Sequence, residues 1–246
     1  MSKIKISIIT VVKDGMPFLR DSIKSFDSQD YPNKEHVIIY SQSNDGTEEY
    51  LNSLMGKKII KDNNSKNKFG PLNLGIQVCS GDYIGILHAD DFFQDNNTLK
   101  DIANFLDTNN ADAIYGNIKF CKQQKINQIT RVWKSSNFDR SKLKYGWMPP
   151  HTSIYAKKHL LLKNLYSENY PISGDYEFIL KFFLNTKYKI KFFDKNLAIM
   201  RVGGVSTKPS LFFKKLSEDL SISKIFFKHY VFCIIIKILR KLNQLF

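Results

Sequence analysis

The chain has 246 residues and a formal net charge of +14 at pH 7. This length suits one α/β domain with a real core, or one domain with an appended segment. The charge predicts an anionic partner: nucleic acid, an anionic membrane surface or a phosphorylated substrate. Three cysteines, Cys79, Cys121 and Cys233, have no metal-ligand spacing, so we expect reduced thiols in a cytosolic protein and no disulfide framework.

Strands and helices alternate through the first part of the chain. Strands are predicted at Ile4–Val12, His36–Tyr40, Ile59–Lys61 and Asp82–Leu87, and helices at Phe18–Phe26, from about Glu48, and at Pro71–Cys79. This alternation predicts a parallel, helix-covered sheet. After Ala113 the pattern loosens, and only a helix at Tyr176–Asn185 and a strand at Ile190–Phe193 are predicted there.

The strand at Asp82–Leu87 is followed, after His88 and Ala89, by the adjacent carboxylates Asp90 and Asp91. Ligands of open α/β sheets collect at the carboxyl ends of the strands. Mg²⁺ or Mn²⁺ is typically bound there by one or two carboxylates, with phosphate and water completing the shell. Since Asp is also common in turns and at helix caps, the pair alone favours a solvated turn or the cap of the following helix.

Eight short segments together resemble family 2 glycosyltransferases of the GT-A fold in their order and spacing. They are Ser7–Val12, Asp45–Thr47, Asn73–Ile76, Ser80–Asp82, Leu87–Asp91, Met148–Ser153, Ser173–Phe178 and Gly203–Ser206. Each segment alone is a weak signal, whereas the ordered set over residues 4–206 is a strong one.

The resemblance implies a GT-A, Rossmann-like and mostly parallel sheet flanked by helices, with amphipathic helices at the C-terminus. Residues 1–112 would form the nucleotide-sugar-binding half, 113–207 the half that binds the acceptor and holds the catalytic base, and 208–246 a basic amphipathic tail. The implied activity is that of an inverting hexosyltransferase in bacterial surface polysaccharide synthesis, with a UDP-sugar as the expected donor and a saccharide as the acceptor.

The reaction needs a stabilised leaving diphosphate and a base for the acceptor hydroxyl. A carboxylate-held Mn²⁺ or Mg²⁺ does the first as a Lewis acid, and the resemblance favours Asp91 as the direct ligand, with Asp90 beside it. It also assigns the base to Asp175, although an Asp at a helix start is by itself also a common cap. His151 either contacts the diphosphate or acceptor, or is a structural hydrogen-bonding residue.

The remaining expected donor contacts come from the loops after the first strands. The residues predicted to bind the nucleotide-sugar are Thr10, Val12, Asp14, Tyr40, Asp45, Asn73, Asp90 and His151. The chain departs from the family pattern at Tyr40, where an Asp usually contacts the base, and at His88, where many members have a further carboxylate. Tyr40 can contact the base or merely cover the strand end, and His88 can add a metal ligand or cap its strand.

The segment from Leu211 to Phe246 interleaves Phe, Ile and Leu with basic residues such as Lys237, Arg240 and Lys241. This pattern is typical of helices that lie on an anionic bilayer, although a helix packed on the protein's own core has a similar pattern. No apolar run is long enough to span a bilayer. We therefore expect a cytoplasmic enzyme, peripheral on the inner face of the cell membrane, with a polyprenyl-diphosphate-linked acceptor.

Two other functions use some of the same features. A sugar nucleotidyltransferase also holds Mg²⁺ with carboxylates on a parallel sheet, but it needs a Gly-rich phosphate loop, and Val12–Pro17 contains one glycine. A basic nucleic-acid-binding protein would account for the charge, but not for Asp90, Asp91 and Asp175, so we expect no nucleic acid partner. A catalytically silent relative is supported by Tyr40 alone.

Overall fold

The computed structural model describes residues 3–203 and 209–242. Its first part alternates strands and helices as expected from the β-branched runs and the polar loops between them. The elements are β1 (Ile6–Val12), α1 (Leu19–Asp27), β2 (Lys34–Tyr40), α2 (Thr47–Asn52), β3 (Lys58–Lys61), α3 (Phe69–Val78) and β4 (Tyr83–Ile86).

Among the described residues, the second part adds short strands, three 3₁₀ helices and the C-terminal helices. Its elements are β5 (Phe92–Phe93), α4 (Thr98–Asn109), β6 (Ala113–Cys121), β7 (Ile129–Trp133), β8 (Tyr155–Lys157), α5 (Lys158–Leu162), α6 (Gly174–Leu184), β9 (Ile190–Arg201), α7 (Phe212–Phe226) and α8 (Tyr230–Leu242). The 3₁₀ helices are Arg140–Tyr145, His151–Ser153 and Pro209–Leu211.

All nine strands of the described residues belong to one sheet, in the order β3-β2-β1-β4-β8-β6-β9-β5, with β7 paired to β6. Strands β1 to β4 pair in parallel, which confirms the predicted α/β class. Strand β8 joins β4 and β6 antiparallel, and β6 and β9 are parallel to each other. The two halves of the domain therefore share a single sheet, which brings the loops of both halves to one region.

Two differences from the sequence prediction concern the second part. Helix α4 was not predicted, although Leu99, Ile102, Ala103 and Leu106 are buried with helical spacing. Strand β9 has twelve residues, instead of the four predicted, and pairs with most of β6. Its length matters because Arg201, its last residue, reaches the acidic pair after β4.

The core lies on both faces of the sheet. Successive side chains of β1 point to opposite faces, so Ile8 packs in the cluster covered by α4, whereas Ile9 packs in the cluster with α3 and α6. The helices of the C-terminal segment extend this second cluster, since Ile222 of α7 and Ile234 of α8 are almost fully buried in it.

Helix α8 has two different faces. Cys233, Ile234 and Lys237 are buried against the domain. On another face lie five large apolar side chains that are at least 38% exposed: Val231, Phe232, Ile235, Ile238 and Leu239. Within residues 3–203 and 209–242, no helix has the length and hydrophobicity needed to cross a membrane.

The expectation that Lys237 faces an anionic surface was wrong. Its side chain is 5% exposed, and its Nζ lies 2.9 Å from Oδ2 of Asp219. The position falls on the docked face of α8, where an ammonium group needs a buried partner. Arg240 is exposed as expected, and the side chain of Lys241 lies outside the described residues, as do Gly204, Val205 and Ser206 of the last motif.

Candidate active site

The loops that follow β1 and β2 are joined to each other by side-chain hydrogen bonds. The Asp14 N–H donates to Ser43 Oγ at 3.0 Å, and the Asn44 N–H donates to Asp14 Oδ1 at 3.0 Å. Asp45 accepts a hydrogen bond from the Met16 N–H at 2.7 Å. Both predicted carboxylates, Asp14 and Asp45, are therefore at the carboxyl edge of the sheet and help to order these loops.

Three other residues predicted to contact the donor lie in the interior. Thr10 is fully buried, and its hydroxyl donates to the Leu87 carbonyl at 2.9 Å. Val12 and Tyr40 are 2% and 7% exposed and pack in one cluster with residues of α1 and α2. Tyr40 Oη donates to Glu48 Oε1 at 3.3 Å. Of the two roles considered for Tyr40, this placement corresponds to covering the strand end.

Asp91 is buried directly behind the end of β4. Its side chain accepts a hydrogen bond from the Arg201 N–H at 3.0 Å through Oδ1, whereas the buried Oδ2 has no hydrogen-bond partner in the described part of the chain. Burial, and then the neighbouring charge of Asp90, raise the pKa of the Asp91 carboxyl well above its ordinary value. An unpaired carboxylate oxygen in such a position is costly, and a cation bound there would satisfy it.

Arg201 holds the turn that contains the acidic pair. The Arg201 side chain is 2% exposed. Its guanidinium donates a hydrogen bond to the Asp90 carbonyl and forms an ion pair with Asp21 of α1. It also donates to the Gln123 carbonyl at 3.2 Å. Sequence reasoning did not single out Arg201, because its partners are more than 70 residues away in the chain.

Three side chains from separate segments meet beside this turn. The rings of His88, after β4, and His151, in the short 3₁₀ helix, have centroids 6.5 Å apart. Burial lowers the pKa of His151 to about 4, and the nearby Asp175 opposes this shift. Burial also lowers the pKa of His88, whereas the carboxylates of Asp90 and Asp175 raise it. The neutral imidazole His88 thus lies within the electrostatic reach of both the acidic pair and Asp175.

Asp175 is the second residue of α6, and Ser173 occupies the cap position. Burial favours the neutral acid, but Lys68, His151, Lys215 and Lys237 together hold the pKa of Asp175 below its ordinary value. The start of the helix is fixed from α7, because Glu218 Oε2 accepts hydrogen bonds from the N–H groups of Ile172 and Ser173 at 3.0 and 2.8 Å. Asp175 is therefore an ionised carboxylate on a well-supported helix terminus.

Tyr166 connects the two halves at this point and was not found from the sequence. Its hydroxyl lies 2.6 Å from His151 Nε2, and its ring stacks on Phe178 of α6 with centroids 4.3 Å apart. Asn73 holds the backbone of Tyr166 through both amide atoms, at 2.8 Å each. Asn73 thus acts on the site through Tyr166, and no local sequence pattern indicates such a contact over 93 residues.

The acidic pair can provide part of a metal shell. Among the residues that the structure describes, no three His, Cys, Asp or Glu side chains converge as a ready-made metal site. The unpartnered Asp91 Oδ2 and the adjacent Asp90 carboxylate nevertheless fit Mg²⁺ or Mn²⁺, which commonly take one or two protein carboxylates and fill the remaining positions with phosphate oxygens and water.

A mixed sheet of this order, with parallel strands β1 to β4, an acidic pair after β4 and a carboxylate on α6, is the architecture of a GT-A glycosyltransferase. The chain belongs to the family described as "Glycosyl transferase family 2", whose model matches residues 7–168. The predicted family and GT-A fold are thereby confirmed.

Relatives agree with this assignment. The chain is 29% identical over 215 residues to an uncharacterized glycosyltransferase of Haemophilus influenzae, covering 84% of this chain and 83% of that protein. It is 27% identical over 158 residues to the Escherichia coli protein WfaP, a UDP-Glc:alpha-D-GlcNAc-diphosphoundecaprenol beta-1,3-glucosyltransferase, covering 63% of this chain and 60% of WfaP.

Solved structures share the fold. The Staphylococcus aureus TarS fragment 1–349 in complex with UDP-GlcNAc matches with a TM-score of 0.72 and 19% identity, over 89% of this chain and 66% of the fragment. A Pyrobaculum calidifontis mannosyltransferase in complex with GDP-Man and Mn²⁺ matches with a TM-score of 0.66 and 14% identity, over 90% of this chain and 64% of that one. Against the whole TarS sequence, the chain covers 33% of the length.

Proposed function

We propose that this glycosyltransferase inverts the anomeric carbon of a UDP-sugar and transfers the sugar to a lipid-diphosphate-linked saccharide. The observation that carries the proposal is the meeting of the acidic pair, His88, His151 and Asp175 in one region of the sheet edge. In this proposal the acidic pair serves the diphosphate of the donor, and Asp175 serves the acceptor.

In the proposed reaction Asp175 takes the proton of the acceptor hydroxyl as its oxygen attacks the anomeric carbon. The bond from that carbon to the diphosphate breaks, and UDP leaves with the electron pair. Since attack and departure occur on opposite faces of the sugar, the configuration inverts. The pKa of Asp175 is below the ordinary value, so the group is ionised at neutral pH, as a proton acceptor must be.

Asp91 and Asp90 would hold the Mn²⁺ or Mg²⁺, which supplies Lewis-acid stabilisation of the leaving diphosphate. The support is the buried Asp91 Oδ2 without a hydrogen-bond partner. His151 and Tyr166 would act as a fixed wall next to Asp175, because their hydrogen bond orients the His151 ring and burial lowers its pKa to about 4. Asp14 and Asp45 would border the nucleotide through the loops that they order.

The donor and acceptor classes rest on the relatives. The printed name of WfaP gives UDP-glucose as the donor and a diphosphoundecaprenol-linked sugar as the acceptor, and the TarS fragment was solved with UDP-GlcNAc. We propose the same classes for this chain, a UDP-sugar and a polyprenyl-diphosphate-linked saccharide.

The exposed apolar face of α8 would rest on an anionic bilayer. The C-terminal segment carries exposed basic residues, including Lys224 of α7, Lys228 of the link between the helices and Arg240 of α8. The two acidic residues of this segment, Glu218 and Asp219, are turned inward, 9% and 7% exposed. An apolar face flanked by cations, without outward carboxylates in the described part of the segment, is the combination that anionic lipids attract.

A donor panel tests the proposal. Purified protein is incubated with UDP-, GDP- and dTDP-sugars, with and without Mn²⁺, while nucleotide release and thermal stabilisation are measured. We expect metal-dependent hydrolysis and stabilisation with UDP-sugars. Binding of nucleic acid in a mobility-shift assay without any response to nucleotide-sugars would contradict the proposal, and so would formation of a nucleotide-sugar from a nucleoside triphosphate.

A further inference from the structure

A cavity of about 200 Å³ lies between the end of β7 and helix α8, away from the acidic pair. Its wall includes Trp133 at the end of β7, Lys134 and Ser135 just after it, Trp147 after the first 3₁₀ helix, and Lys237 and Arg240 from α8. None of these residues has a role in the site described above, apart from the charge that Lys237 exerts on Asp175.

The aromatic walls are fixed by the fold. Trp147 is 7% exposed, and its ring packs edge to face on Tyr115 with centroids 5.7 Å apart. Trp133 is the last residue of β7 and pairs with Ile118 of β6. Flat aromatic faces with polar groups nearby suit sugar rings, which present apolar C–H surfaces and polar hydroxyls.

The cavity also has unpaired polar groups. Ser135 Oγ is buried and has no hydrogen-bond partner among residues 3–203 and 209–242, although the Ser135 N–H donates to Asn117 Oδ1 at 2.7 Å. Lys134 and Arg240 are exposed and have no ion pair among those of the described residues. A buried hydroxyl without a partner is unfavourable, and two free cations beside it favour an anion that accepts hydrogen bonds.

Lys237 does not add free charge, because its Nζ is paired with Asp219. Its contribution is positional. Gly146, another wall residue, has φ +66° and approaches Lys237 so closely that an added Cβ would lie 2.6 Å from the Lys237 backbone nitrogen. This contact docks α8 on the domain and closes one side of the cavity.

The position of the cavity relates it to the acceptor. Lys237 Nζ lies 3.1 Å from the centre of the ring of Tyr176, the residue after Asp175. On its other side α8 carries the exposed apolar face, including Ile235 and Leu239. The cavity wall therefore lies between the helix that begins with the proposed base and the face proposed to contact lipid.

From these observations we propose that the cavity binds the phosphorylated sugar of the acceptor, with Arg240, Lys134 and Ser135 on the phosphate groups and Trp133 and Trp147 against the sugar. The inference rests on the proposed function and deepens it, since it assigns the acceptor's anionic end to a site on α8. A lipid attached to that phosphate would leave the cavity along the apolar face of the same helix.

Tryptophan fluorescence provides a local test, because the chain contains two tryptophans and both line the cavity. The probe is N-acetylglucosamine 1-phosphate, titrated into the full chain in EDTA so that no divalent metal is present. We expect a saturable fluorescence change with the sugar phosphate, and at least tenfold weaker binding of free N-acetylglucosamine and of inorganic phosphate.

Substitutions assign the response to the cations. Arg240→Gln and Lys134→Gln should each weaken sugar-phosphate binding about tenfold or less, and together by more than tenfold. The matched control is Lys163→Gln, an exposed lysine outside the cavity, which should bind as the unmodified protein does. Ser135→Ala should weaken binding while leaving the melting temperature unchanged or raised, because its hydroxyl has no partner to lose.

Several results would overturn the inference. These are no tryptophan response at any accessible concentration, equal binding of free sugar or of inorganic phosphate, or unchanged binding in the double variant. Phosphatidylglycerol vesicles are added at a lipid concentration equal to that of the probe. If they displace the probe, the cavity binds membrane headgroups instead of the acceptor sugar. Metal-dependent UDP-sugar hydrolysis is measured on the same preparation, so an active protein without a tryptophan response refutes the cavity alone, and an inactive one refutes the proposed function.

Discussion

Asp219 of α7 and Lys237 of α8 form an ion pair of 2.9 Å, with 9% and 5% of their side chains exposed. The pair ties the two C-terminal helices to each other, and the ammonium group covers the ring of Tyr176 on α6. Burial lowers the pKa of Lys237, and Asp219 opposes this shift. The C-terminal segment is thus attached to the helix that carries Asp175 through a buried charge pair.

Breaking this pair should destabilise the protein strongly. Lys237→Met leaves Asp219 as a buried charge without its partner, which typically costs about 3–5 kcal/mol. Urea unfolding measures the loss. The control is the double variant Lys237→Met/Asp219→Leu, which removes both charges and should recover most of the stability; a double variant as unstable as the single one would show that packing, and not the charge, explains the effect.

Asp91→Asn should abolish metal-dependent donor binding and nearly all turnover. The unpartnered Oδ2 then no longer carries the charge that attracts the cation. Without metal the variant should melt at the same temperature as the unmodified protein or higher, because a buried charge is removed. Thermal melting with EDTA, with Mn²⁺ and with Mn²⁺ plus UDP separates these effects.

The matched control for Asp91 is Asp30→Asn, a surface carboxylate whose side chain is 71% exposed and 3.4 Å from Lys100. It should keep both metal response and turnover. Full activity of Asp91→Asn, or of the unmodified enzyme in EDTA, would remove the metal-dependent mechanism.

Asp175→Asn should lower turnover on the order of 10²–10⁴-fold while leaving donor affinity nearly unchanged. The amide keeps the shape of the side chain but cannot take the acceptor proton. Steady-state transfer assays give the turnover, and UDP-sugar titration by calorimetry gives the affinity. Loss of donor binding in this variant would place Asp175 in the donor site or in the framework.

Stability should fall as the pH decreases from about 6.5, because of His36. This imidazole is 4% exposed, its Nδ1 has no hydrogen-bond partner, and burial lowers its pKa to about 3. Since an unfolded histidine titrates near about 6.5, the unfolded chain binds more protons below that pH, and folding loses up to about 1.4 kcal/mol per pH unit for this group.

Two measurements check the role of His36. Urea unfolding between about pH 7 and about pH 5 should show the decrease, above the range in which carboxylates with ordinary pKa values titrate. NMR of the imidazole should show a neutral ring at the lower pH, whatever the total slope. A His36 ring that titrates near its ordinary pKa would contradict the prediction.

Membrane attachment should depend on the exposed face of α8. Phe232→Ser and Leu239→Ser, 54% and 53% exposed, each remove apolar area worth about 1.5–3 kcal/mol when fully buried in lipid, so we expect at least tenfold weaker binding to phosphatidylglycerol vesicles by co-sedimentation. Leu162→Ser, a 41% exposed leucine on α5, is the control. Equal loss in the control, or no loss in the α8 variants, would argue against attachment through this face.

Point substitutions are preferable to deletion of the segment. Ile222, Cys233 and Ile234 belong to the core or contact it, and Tyr176 Oη lies 2.9 Å from Ser223 Oγ. Removing α7 and α8 would therefore expose part of the core, and loss of membrane binding after such a deletion would not distinguish attachment from unfolding.

The local pattern of the sequence determined the strands and helices of the first half, the family resemblance and the candidate residues Asp90, Asp91 and Asp175. Each of these signals lies within a few residues: a β-branched run, a polar loop or a short motif. Helix α4 has a local signal of the same kind, since Leu99, Ile102, Ala103 and Leu106 are buried with helical spacing.

Tertiary structure alone decided how distant segments meet. Three contacts show this. Tyr166 contacts His151, Asn73 anchors Tyr166, and Arg201 holds the turn with the acidic pair. Each contact joins segments that are distant in the chain and close in space. The orientation of α8 was also decided by the tertiary structure, because apolar residues occur on several sides of this helix. Periodicity identifies an amphipathic helix, but only packing against α6 and α7 decides that Lys237 is buried with Asp219 while Phe232 and Leu239 remain exposed.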